Sequence, residues 1–303
     1  MNITLTGATG FIGRRLTGEL LAAGHKLHVL GRRRSSLLPA EVRFSEWDGT
    51  APPPTDSLTN ADAVLHLAGE SVAQRWTPEA KALIRNSRFD STRNLVDRLR
   101  NQSRRPQVFI CASAIGIYGS RGDEILTETS APGQGFLADV VKDWESTAQE
   151  AESLGVRVTL LRFGMVLGQG GALAKMLTPF RLGVGGRMGS GRQWVSWIHI
   201  HDAVRLILFS LDNSAVRGPV NATAPNPVTN VDFTRELAGA LHRPALFPVP
   251  EFALKLLFGE MSGVILASQR VLPRAAKKAG FQFKFPGLGP ALTDILKSGS
   301  DAK

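Results

Sequence analysis

A glycine-rich run near the start of the chain constrains the fold more than any other feature of the sequence. It follows an apolar segment at residues 3–5 and precedes leucines at helical spacing. A strand, a glycine turn and a helix in this order are typical of a dinucleotide site, because the helix N-terminus offers free N–H groups to a pyrophosphate. We therefore predict that the cofactor contacts the residues of this run, which are Thr6, Gly7, Thr9, Gly10, Phe11, Ile12 and Gly13.

The residues after the second predicted strand indicate which nicotinamide cofactor is bound. That strand covers residues 26–30, and Gly31-Arg32-Arg33-Arg34 follows it with no acidic residue. An acidic side chain in this place would bind the ribose 2′-hydroxyl of NAD, whereas arginine suits the 2′-phosphate of NADP. We therefore predict NADP(H), bound by Arg32 and Arg33. The alternative is a solvated basic loop.

Composition narrows the class of protein. The chain has 303 residues, of which 43% are hydrophobic, and a formal net charge of +10. Because the basic residues are scattered and only one tyrosine could stack on bases, we expect an electropositive cofactor cleft and no specific nucleic-acid partner.

The single cysteine, Cys111, excludes a disulfide framework. The chain begins at once with the nucleotide strand and no apolar run approaches a membrane span, so we expect a cytoplasmic protein without a membrane partner.

Further cofactor contacts are predicted where later strands end, because ligands of a doubly wound sheet lie outside the carboxyl ends of its strands. The fourth strand ends in Leu67-Ala68-Gly69-Glu70, where small residues leave space for the nicotinamide. Within that strand, His66 is interpreted as a core histidine. Asp48, after a short third strand, either reaches the adenine edge or caps a turn. Arg88, on a long helix that begins at Pro78, either contacts phosphate or bridges to the sheet.

A serine follows the fifth predicted strand, where its hydroxyl is expected to face the nicotinamide crevice. The strand covers residues 107–112 and leads into Ser113-Ala114-Ile115-Gly116-Ile117-Tyr118-Gly119. Together the segments TGATGFIG, HLAG and SAIGIYG resemble the extended short-chain dehydrogenase/reductase superfamily, which includes nucleotide-sugar epimerases and dehydratases. The resemblance implies that Ser113 lies beside the cofactor and hydrogen-bonds the reacting oxygen of the substrate.

The sequence departs from this superfamily at the two residues that exchange a proton with substrate. The superfamily uses a Tyr-x-x-x-Lys motif, but Tyr118 is the only tyrosine and Gly122 stands four residues after it. Alignment with the superfamily puts Leu137 and Val141 in the two motif positions. Tyr118 is then the candidate acid, with Glu70 behind it. The alternative is that Tyr118 packs over the cofactor site.

Two later segments bear on the substrate. Residues 183–191 contain five glycines and predict a loop that lines the substrate cleft, with Arg187 and Arg192 as candidate anion contacts. Residues 193–202 resemble the superfamily segment QxRDFIHVDD, but Val195 replaces the arginine that sugar epimerases use on the nucleotide diphosphate. This departure argues against an ordinary nucleotide-sugar substrate. The two histidines of the segment are too sparse for a metal site, and we predict none.

The last part of the chain resembles one atypical branch of the superfamily. Residues 280–286 alternate apolar and polar side chains, a pattern that predicts a small strand. This tail and the missing Tyr-Lys pair are similar to proteins labelled as the epimerase family, which have a short C-terminal domain. The resemblance implies NADP(H) binding and leaves the reaction open.

These observations predict an α/β fold, a Rossmann-like doubly wound parallel sheet of about seven strands with a smaller C-terminal substrate lobe. The predicted NADP(H)-binding domain covers residues 1–225, with residues 168–195 contributing to the cleft, and the C-terminal domain covers residues 226–303. The leading hypothesis is an NADP(H)-dependent oxidoreductase or epimerase-like enzyme that acts on a small carbonyl or hydroxyl compound. A non-catalytic NADPH-binding sensor or regulatory protein stays open, as does a basic nucleic-acid binder. The resemblance is compatible with a homodimer.

Overall fold

The strands of the computed structural model, which describes residues 1–298, are short and largely apolar. All four residues of the fourth strand are buried, as expected for a parallel sheet that is covered on both faces. In chain order the strands are β1 (Asn2–Thr6), β2 (Lys26–Gly31), β3 (Arg43–Glu46), β4 (Ala63–His66), β5 (Val108–Ala114), β6 (Ile125–Leu126), β7 (Arg157–Phe163), β8 (Met165–Leu167), β9 (Trp194–Val195), β10 (Trp197–His199), β11 (Gly218–Ala222), β12 (Val228–Thr229) and β13 (Arg270–Val271).

Seven of these strands pair in parallel in the order β3-β2-β1-β4-β5-β7-β11. The order reverses direction between β1 and β4, and such a switch point opens a crevice at the carboxyl ends of the strands. The other six strands form the two-stranded pairs β8–β10, β9–β12 and β6–β13. The predicted α/β fold with a parallel sheet of about seven strands is therefore confirmed.

Helices cover both faces of the sheet. Apolar side chains of α1 and α5 pack on one face, and those of α2 and α3 pack on the other. In chain order the helices are α1 (Phe11–Ala22), α2 (Pro78–Arg100), α3 (Phe136–Gln149), α4 (Gly171–Arg181), α5 (Ile200–Asp212), α6 (Asn230–Leu241), α7 (Glu251–Phe258), α8 (Ser262–Leu266), α9 (Arg274–Lys278) and α10 (Leu288–Ser298).

The longest helix, α2, begins at the predicted proline, and the side chain of Thr77 accepts a hydrogen bond from the N–H of Ala80 as its N-cap. Leu95 and Leu99 of this helix are buried, whereas Leu83 is exposed and does not belong to the core. Within residues 1–298, no helix is long and apolar enough to cross a membrane.

A second apolar cluster forms the C-terminal lobe. Leu173 and Phe180 of α4 pack there with Phe233 and Leu237 of α6, and α10 adds Leu292. The connection between β8 and β9 therefore joins this lobe, although it precedes the last strand of the sheet. The limits of the two predicted domains stay predictions.

The predicted strand at residues 280–286 is wrong. Phe281 and Phe285 are buried, yet the segment is irregular and pairs with no other strand of the described chain. The carboxylate of Asp202, at the start of α5, instead accepts hydrogen bonds from the N–H groups of Lys284 and Phe285 at 2.9 and 2.8 Å. The alternating apolar residues are thus buried aromatic side chains and do not belong to a strand. The backbone of this segment bonds to the carboxylate of Asp202 where a strand would bond to a partner strand.

Candidate functional site

The glycine loop between β1 and α1 is packed so closely that side chains are excluded at two positions. Gly7 has a φ of +74°, and a Cβ there would lie 2.7 Å from the carbonyl carbon of Leu67. A Cβ on Gly13 would lie 2.0 Å from the carbonyl oxygen of Gly7. The loop, the first turn of α1 and the end of β4 are therefore in direct backbone contact, which brings the helix N-terminus to the crevice.

The first turn of α1 is open to an anion. Gly10 is the N-cap, no side chain caps the helix, and the first turn carries no acidic residue. The early N–H groups of a helix have no intrahelical partner, so those of Phe11 and Ile12 are suited to a pyrophosphate. Thr9 and Gly10 are exposed beside them. The Phe11 side chain has a structural role, since a Cβ on Gly170 would lie 2.7 Å from its ring.

Thr6 has a different role from the predicted cofactor contact, because its side chain is fully buried. Its hydroxyl accepts hydrogen bonds from the N–H groups of Leu67 and Ala68, both at 3.1 Å. Its one proton is therefore available to Nδ1 of His66, which lies 2.7 Å away. Thr6 positions the turn after β4 and does not face the crevice.

His66 is a core histidine, as predicted. Because its Nδ1 accepts from Thr6, its Nε2 carries the proton and donates to the hydroxyl of Ser91 at 3.2 Å. Burial lowers the pKa of His66 to about 3, so the ring is neutral at physiological pH. Through these two hydrogen bonds His66 connects its own strand, β4, to β1 and α2.

The two arginines predicted to select NADP(H) are exposed. Arg32 and Arg33 follow the end of β2, and within residues 1–298 neither has an intramolecular hydrogen bond or ion pair. Their neighbour Arg34 differs, since its guanidinium donates to the carbonyl oxygen of Val42 at 3.1 Å and closes the loop before β3. Arg32 and Arg33 are therefore free to bind an anion, whereas Arg34 shapes the loop.

Asp48 caps a turn in the structure, which is one of the two alternatives predicted for it. Its carboxylate accepts from the N–H and the hydroxyl of Thr50 at 2.9 and 2.8 Å. These two hydrogen bonds lower the pKa of Asp48. Its position beyond β3, the neighbour of β2, puts it on the Arg32 side of the sheet.

The side chain of Arg88 packs against the turn after β4. Its guanidinium donates to the carbonyl oxygen of Ile84 at 2.9 Å and lies 5.2 Å from the centre of the Trp144 ring. A Cβ on Gly69 would be 3.2 Å from its Cζ. Burial lowers the pKa of Arg88 to about 10. These contacts join α2 to α3 and to the turn after β4, so the structure shows a packing role for Arg88 and no direct hydrogen bond to the sheet within the described residues. Glu70 follows the turn, and its N–H donates to Ser87 at 2.9 Å.

The hydroxyl of Ser113 forms a hydrogen bond inside the protein. It is the sixth residue of β5, it is buried, and its hydroxyl donates to Oε1 of Glu145 on α3 at 2.5 Å. Side chains alternate along a strand, so Ala112 and Ala114 occupy the opposite face. The prediction that Ser113 binds the reacting oxygen is not supported, because its proton is used within the protein.

Tyr118 also lies inside the protein. Its side chain is fully buried, its hydroxyl donates to Oδ1 of Asn221 at 2.7 Å, and the same oxygen accepts from Arg162 at 2.9 Å. Burial raises the pKa of Tyr118. A proton donor must contact substrate, so this geometry supports the packing alternative and not the predicted acid.

An ion pair that sequence reasoning did not identify connects these two side chains. Arg162 of β7 and Glu145 of α3 form two hydrogen bonds, Nε to Oε1 at 2.8 Å and Nη2 to Oε2 at 2.7 Å. Burial alone would lower the pKa of Arg162, but the contacts with Glu145 raise it. A charged residue within an apolar strand is a signal that could have indicated such a partner.

The two residues that the predicted alignment puts in the Tyr-Lys positions lie in the first half of α3. A Cβ on Gly116 would be 3.5 Å from the Leu137 side chain, and Val141 packs with Ile115 and Tyr118. Neither of these two apolar side chains can exchange a proton. No cluster of three metal-ligating side chains occurs in the part of the chain that the structure describes.

The glycine-rich loop at residues 183–191 lies along the C-terminal lobe. Arg187 is exposed and donates to the carbonyl oxygen of Gly189 at 2.6 Å, and Arg192 is exposed as well. The N–H of Gly189 donates to the carbonyl oxygen of Val249 at 2.9 Å. The loop is thus ordered by backbone contacts with the segment before α7.

Comparisons with known proteins cover nearly the whole chain. A model of the NAD dependent epimerase/dehydratase family matches residues 3–222, and a model of a domain of unknown function, DUF1731, matches residues 249–295. The epimerase family protein YfhF of Bacillus subtilis is 39% identical over 297 residues, which are 98% of each chain. The chloroplastic SDR39U1 homolog of Arabidopsis thaliana is 42% identical over 98% of this chain and 87% of its own length. A crystal structure of human epimerase family protein SDR39U1 (isoform 2) with NADPH has a TM-score of 0.88 and 31% identity, covering 98% of this chain and 99% of that one.

Proposed function

The chain belongs to the NAD dependent epimerase/dehydratase family, and from this premise we propose that it binds NADP(H) and acts on a small carbonyl or hydroxyl compound as an oxidoreductase or epimerase-like enzyme. The observation that carries the cofactor preference is the pair of exposed, unpartnered arginines, Arg32 and Arg33, directly after β2 within the described chain. Guanidinium groups at this place pair with a 2′-phosphate. The NADPH in the structure of the human relative supports the same preference.

The residues of this chain fit a dinucleotide along the crevice. The close approach of Gly7 and Gly13 leaves room for a pyrophosphate at the first turn of α1, where the N–H groups of Phe11 and Ile12 would bind it. Ala68 and Gly69 would leave space for the nicotinamide at the end of β4. The cofactor supplies the hydride, and the protein supplies position and charge.

The substrate side of the crevice carries no residue with the usual proton-exchanging role. Leu137 and Val141 are apolar, and the hydroxyls of Ser113 and Tyr118 are used inside the protein. If turnover occurs, the proton therefore comes from Glu70, from the substrate or from water. This same observation favours a second candidate, a non-catalytic NADPH-binding sensor. A cytoplasmic location, a homodimeric state and the lack of a specific nucleic-acid partner stay predictions.

Cofactor preference is tested by titrating the protein with NADPH and NADH and following the nicotinamide fluorescence. We expect tighter binding of NADPH. Each of Arg32→Ala and Arg33→Ala should weaken NADPH binding by about tenfold or more while leaving NADH binding unchanged, because a charge-assisted hydrogen bond is lost. The matched control is Arg217→Ala, an exposed arginine just before β11 at the far edge of the sheet. Equal binding of both cofactors to the native protein would refute the preference.

The enzyme and the sensor are separated by analysis of the nucleotide released on denaturation, followed by NADPH oxidation with a panel of small carbonyl compounds. Bound NADP+ or substrate-dependent oxidation of NADPH supports the enzyme. Tight NADPH binding without oxidation of any compound in the panel supports the sensor.

A further inference from the structure

The C-terminal lobe exposes an unusual concentration of large apolar side chains. Thirteen such residues are exposed in the described chain, and seven of them belong to two short segments, residues 182–184 and 246–257. Single exposed apolar residues are common on proteins, but a contiguous group marks an interaction site. We call this group the apolar patch, and its members are Leu182, Val184, Leu246, Phe247, Phe252, Leu256 and Leu257.

The two segments of the apolar patch are held side by side by their backbones. The N–H of Val249 donates to the carbonyl oxygen of Arg187 at 2.8 Å, and Met188 and Val249 form a parallel bridge. Next to this bridge, Gly186 lies so close to Phe247 that a Cβ would meet its carbonyl oxygen at 1.9 Å. The two segments that carry the patch are therefore in direct backbone contact, although they are about sixty residues apart in the sequence.

Helix α7 has apolar side chains both on its buried face and on its exposed face. Leu254 points into the lobe and is 3% exposed, whereas Phe252, Leu256 and Leu257 are 73%, 75% and 64% exposed. A short surface helix normally has a polar outer face. The outward side chains of α7 are consequently suited to an apolar medium outside the protein.

Basic residues are concentrated in the same two parts of the chain as the apolar patch. Residues 181–192 and 242–258 together contain five arginine or lysine residues and a single acidic residue, Glu251. The five basic side chains are all exposed, and only Lys255 has an acidic partner, Glu251 at 2.7 Å. In a symmetric dimer through this surface the same positive charges would face each other. The positive charge of these residues therefore disfavours binding of a second copy of this chain. It favours a partner that has an anionic surface and an apolar interior. The five are Arg181, Arg187, Arg192, Arg243 and Lys255.

We propose that the apolar patch and its basic border form a site for peripheral binding to anionic phospholipid bilayers. Phe252, Leu256 and Leu257 enter the boundary between headgroups and acyl chains, and the basic side chains bind the lipid phosphates. This proposal goes beyond the NADP(H) function and departs from the expectation of no membrane partner. The sequence alone did not indicate the site, because the two segments are far apart in the sequence and the apolar pattern of α7 does not show which of its side chains face solvent.

The test is co-flotation of the full chain with phosphatidylcholine vesicles prepared with and without phosphatidylglycerol. We expect binding to the vesicles that contain phosphatidylglycerol, with affinity that falls as salt is raised. The double variant Phe252→Ser/Leu256→Ser should lower the bound fraction by about tenfold. Arg243→Glu/Lys255→Glu should lower it similarly. The matched control is Leu83→Ser, an exposed leucine on α2 outside the patch, and this variant should bind as the native chain does.

Each outcome decides the proposal. Cooperative thermal unfolding, measured on every variant, shows that the variants are folded and keeps this test independent of whether the chain binds NADPH. Absence of flotation in folded native protein would overturn the proposal, as would equal binding to vesicles without phosphatidylglycerol. If the native chain does not float but is a dimer in sedimentation, and Phe252→Ser/Leu256→Ser is a monomer, the patch is an interface between copies and the proposal is wrong.

Discussion

The guanidinium of Arg162 and the carboxylate of Glu145 form a bidentate ion pair in which each side chain is 8% exposed. Glu145 also accepts from Ser113, and Arg162 donates to Tyr118, whose hydroxyl donates to Asn221. The amide of Asn221 in turn donates to the carbonyl oxygen of Leu272, so that one polar chain connects β5, β7 and β11 to the segment directly after β13. The hydroxyls expected to bind substrate are thus part of a buried network that attaches this later segment to the sheet.

Glu145→Gln should destabilise the protein strongly. The substitution leaves the buried Arg162 guanidinium without a counterion, and breaking a buried pair in this way typically costs about 3–5 kcal/mol. The measurement is the free energy of unfolding in urea. The control is Asp143→Asn on the same helix, which breaks an exposed pair with Arg85 and should cost less than about 1 kcal/mol. Equal effects of the two substitutions would show that the buried pair has no special importance.

Gly13→Ala should abolish nucleotide binding or prevent folding. The added methyl group would overlap the carbonyl oxygen of Gly7, and relief of this overlap moves α1 away from the loop. Gly18→Ala is the matched control within the same helix, since a Cβ at Gly18 meets no atom within 4 Å. Because alanine favours helix, Gly18→Ala should stabilise the protein by about 0.5–1 kcal/mol. NADPH titration and thermal unfolding measure both effects, and normal NADPH affinity in Gly13→Ala would contradict the role of this glycine.

Local sequence patterns are sufficient to predict the architecture and the close-packed glycine loop between β1 and α1. The order of strands, glycines and helices indicates a doubly wound sheet, and the start of α2 follows from a proline at its first position. The comparisons confirm the resemblance to epimerase-family proteins with a short C-terminal domain. Each of these features is determined by residues that are close together in the sequence, so the sequence alone is enough to identify it.

The directions of individual side chains could not be predicted in the same way. The role of Ser113 follows from the resemblance and that of Tyr118 from its being the only tyrosine, but their hydroxyls are oriented by Glu145, Arg162 and Asn221, which are distant in sequence. Thr6 is similarly directed by His66 and the turn after β4. Long-range polar partners have no local signature, so a residue can be close to a site and still face away from it.

Acid should destabilise the protein partly through His66. Burial holds its folded pKa at about 3, below the ordinary value of 6.5, so unfolding takes up a proton. The stability that this gives is present above pH 6.5 and is lost as pH falls towards 3. Between pH 7 and pH 5 the loss from this group is about 2 kcal/mol.

The measurement is the difference in unfolding free energy between these two pH values. His66→Gln should show a smaller difference than the native protein, whatever its stability at pH 7. His242→Asn, at the exposed end of α6, should keep the native difference. An unchanged pH dependence in His66→Gln would show that His66 is not the group responsible.

Tyr118 can be observed directly, because it is the only tyrosine of the chain. Burial raises its pKa, so the folded protein should show no tyrosinate absorbance at the ordinary pKa of about 10. Ionisation is then favoured in the unfolded chain. The buried neutral hydroxyl stabilises the protein fully below pH 10, the ordinary tyrosine pKa of about 10 being that of the unfolded chain. This stabilisation is lost as pH rises towards the higher pKa that Tyr118 has in the folded protein.

An ultraviolet titration of native and urea-unfolded protein measures both values, and Tyr118→Phe provides the baseline without the signal. Tyr118→Phe should lower the free energy of unfolding by about 1–3 kcal/mol, because Asn221 loses its buried donor and Arg162 an acceptor. NADPH affinity should be unchanged. A tyrosinate signal below the ordinary pKa in folded protein would instead identify an accessible hydroxyl activated by Arg162, and the assignment of Tyr118 as the acid would have to be restored.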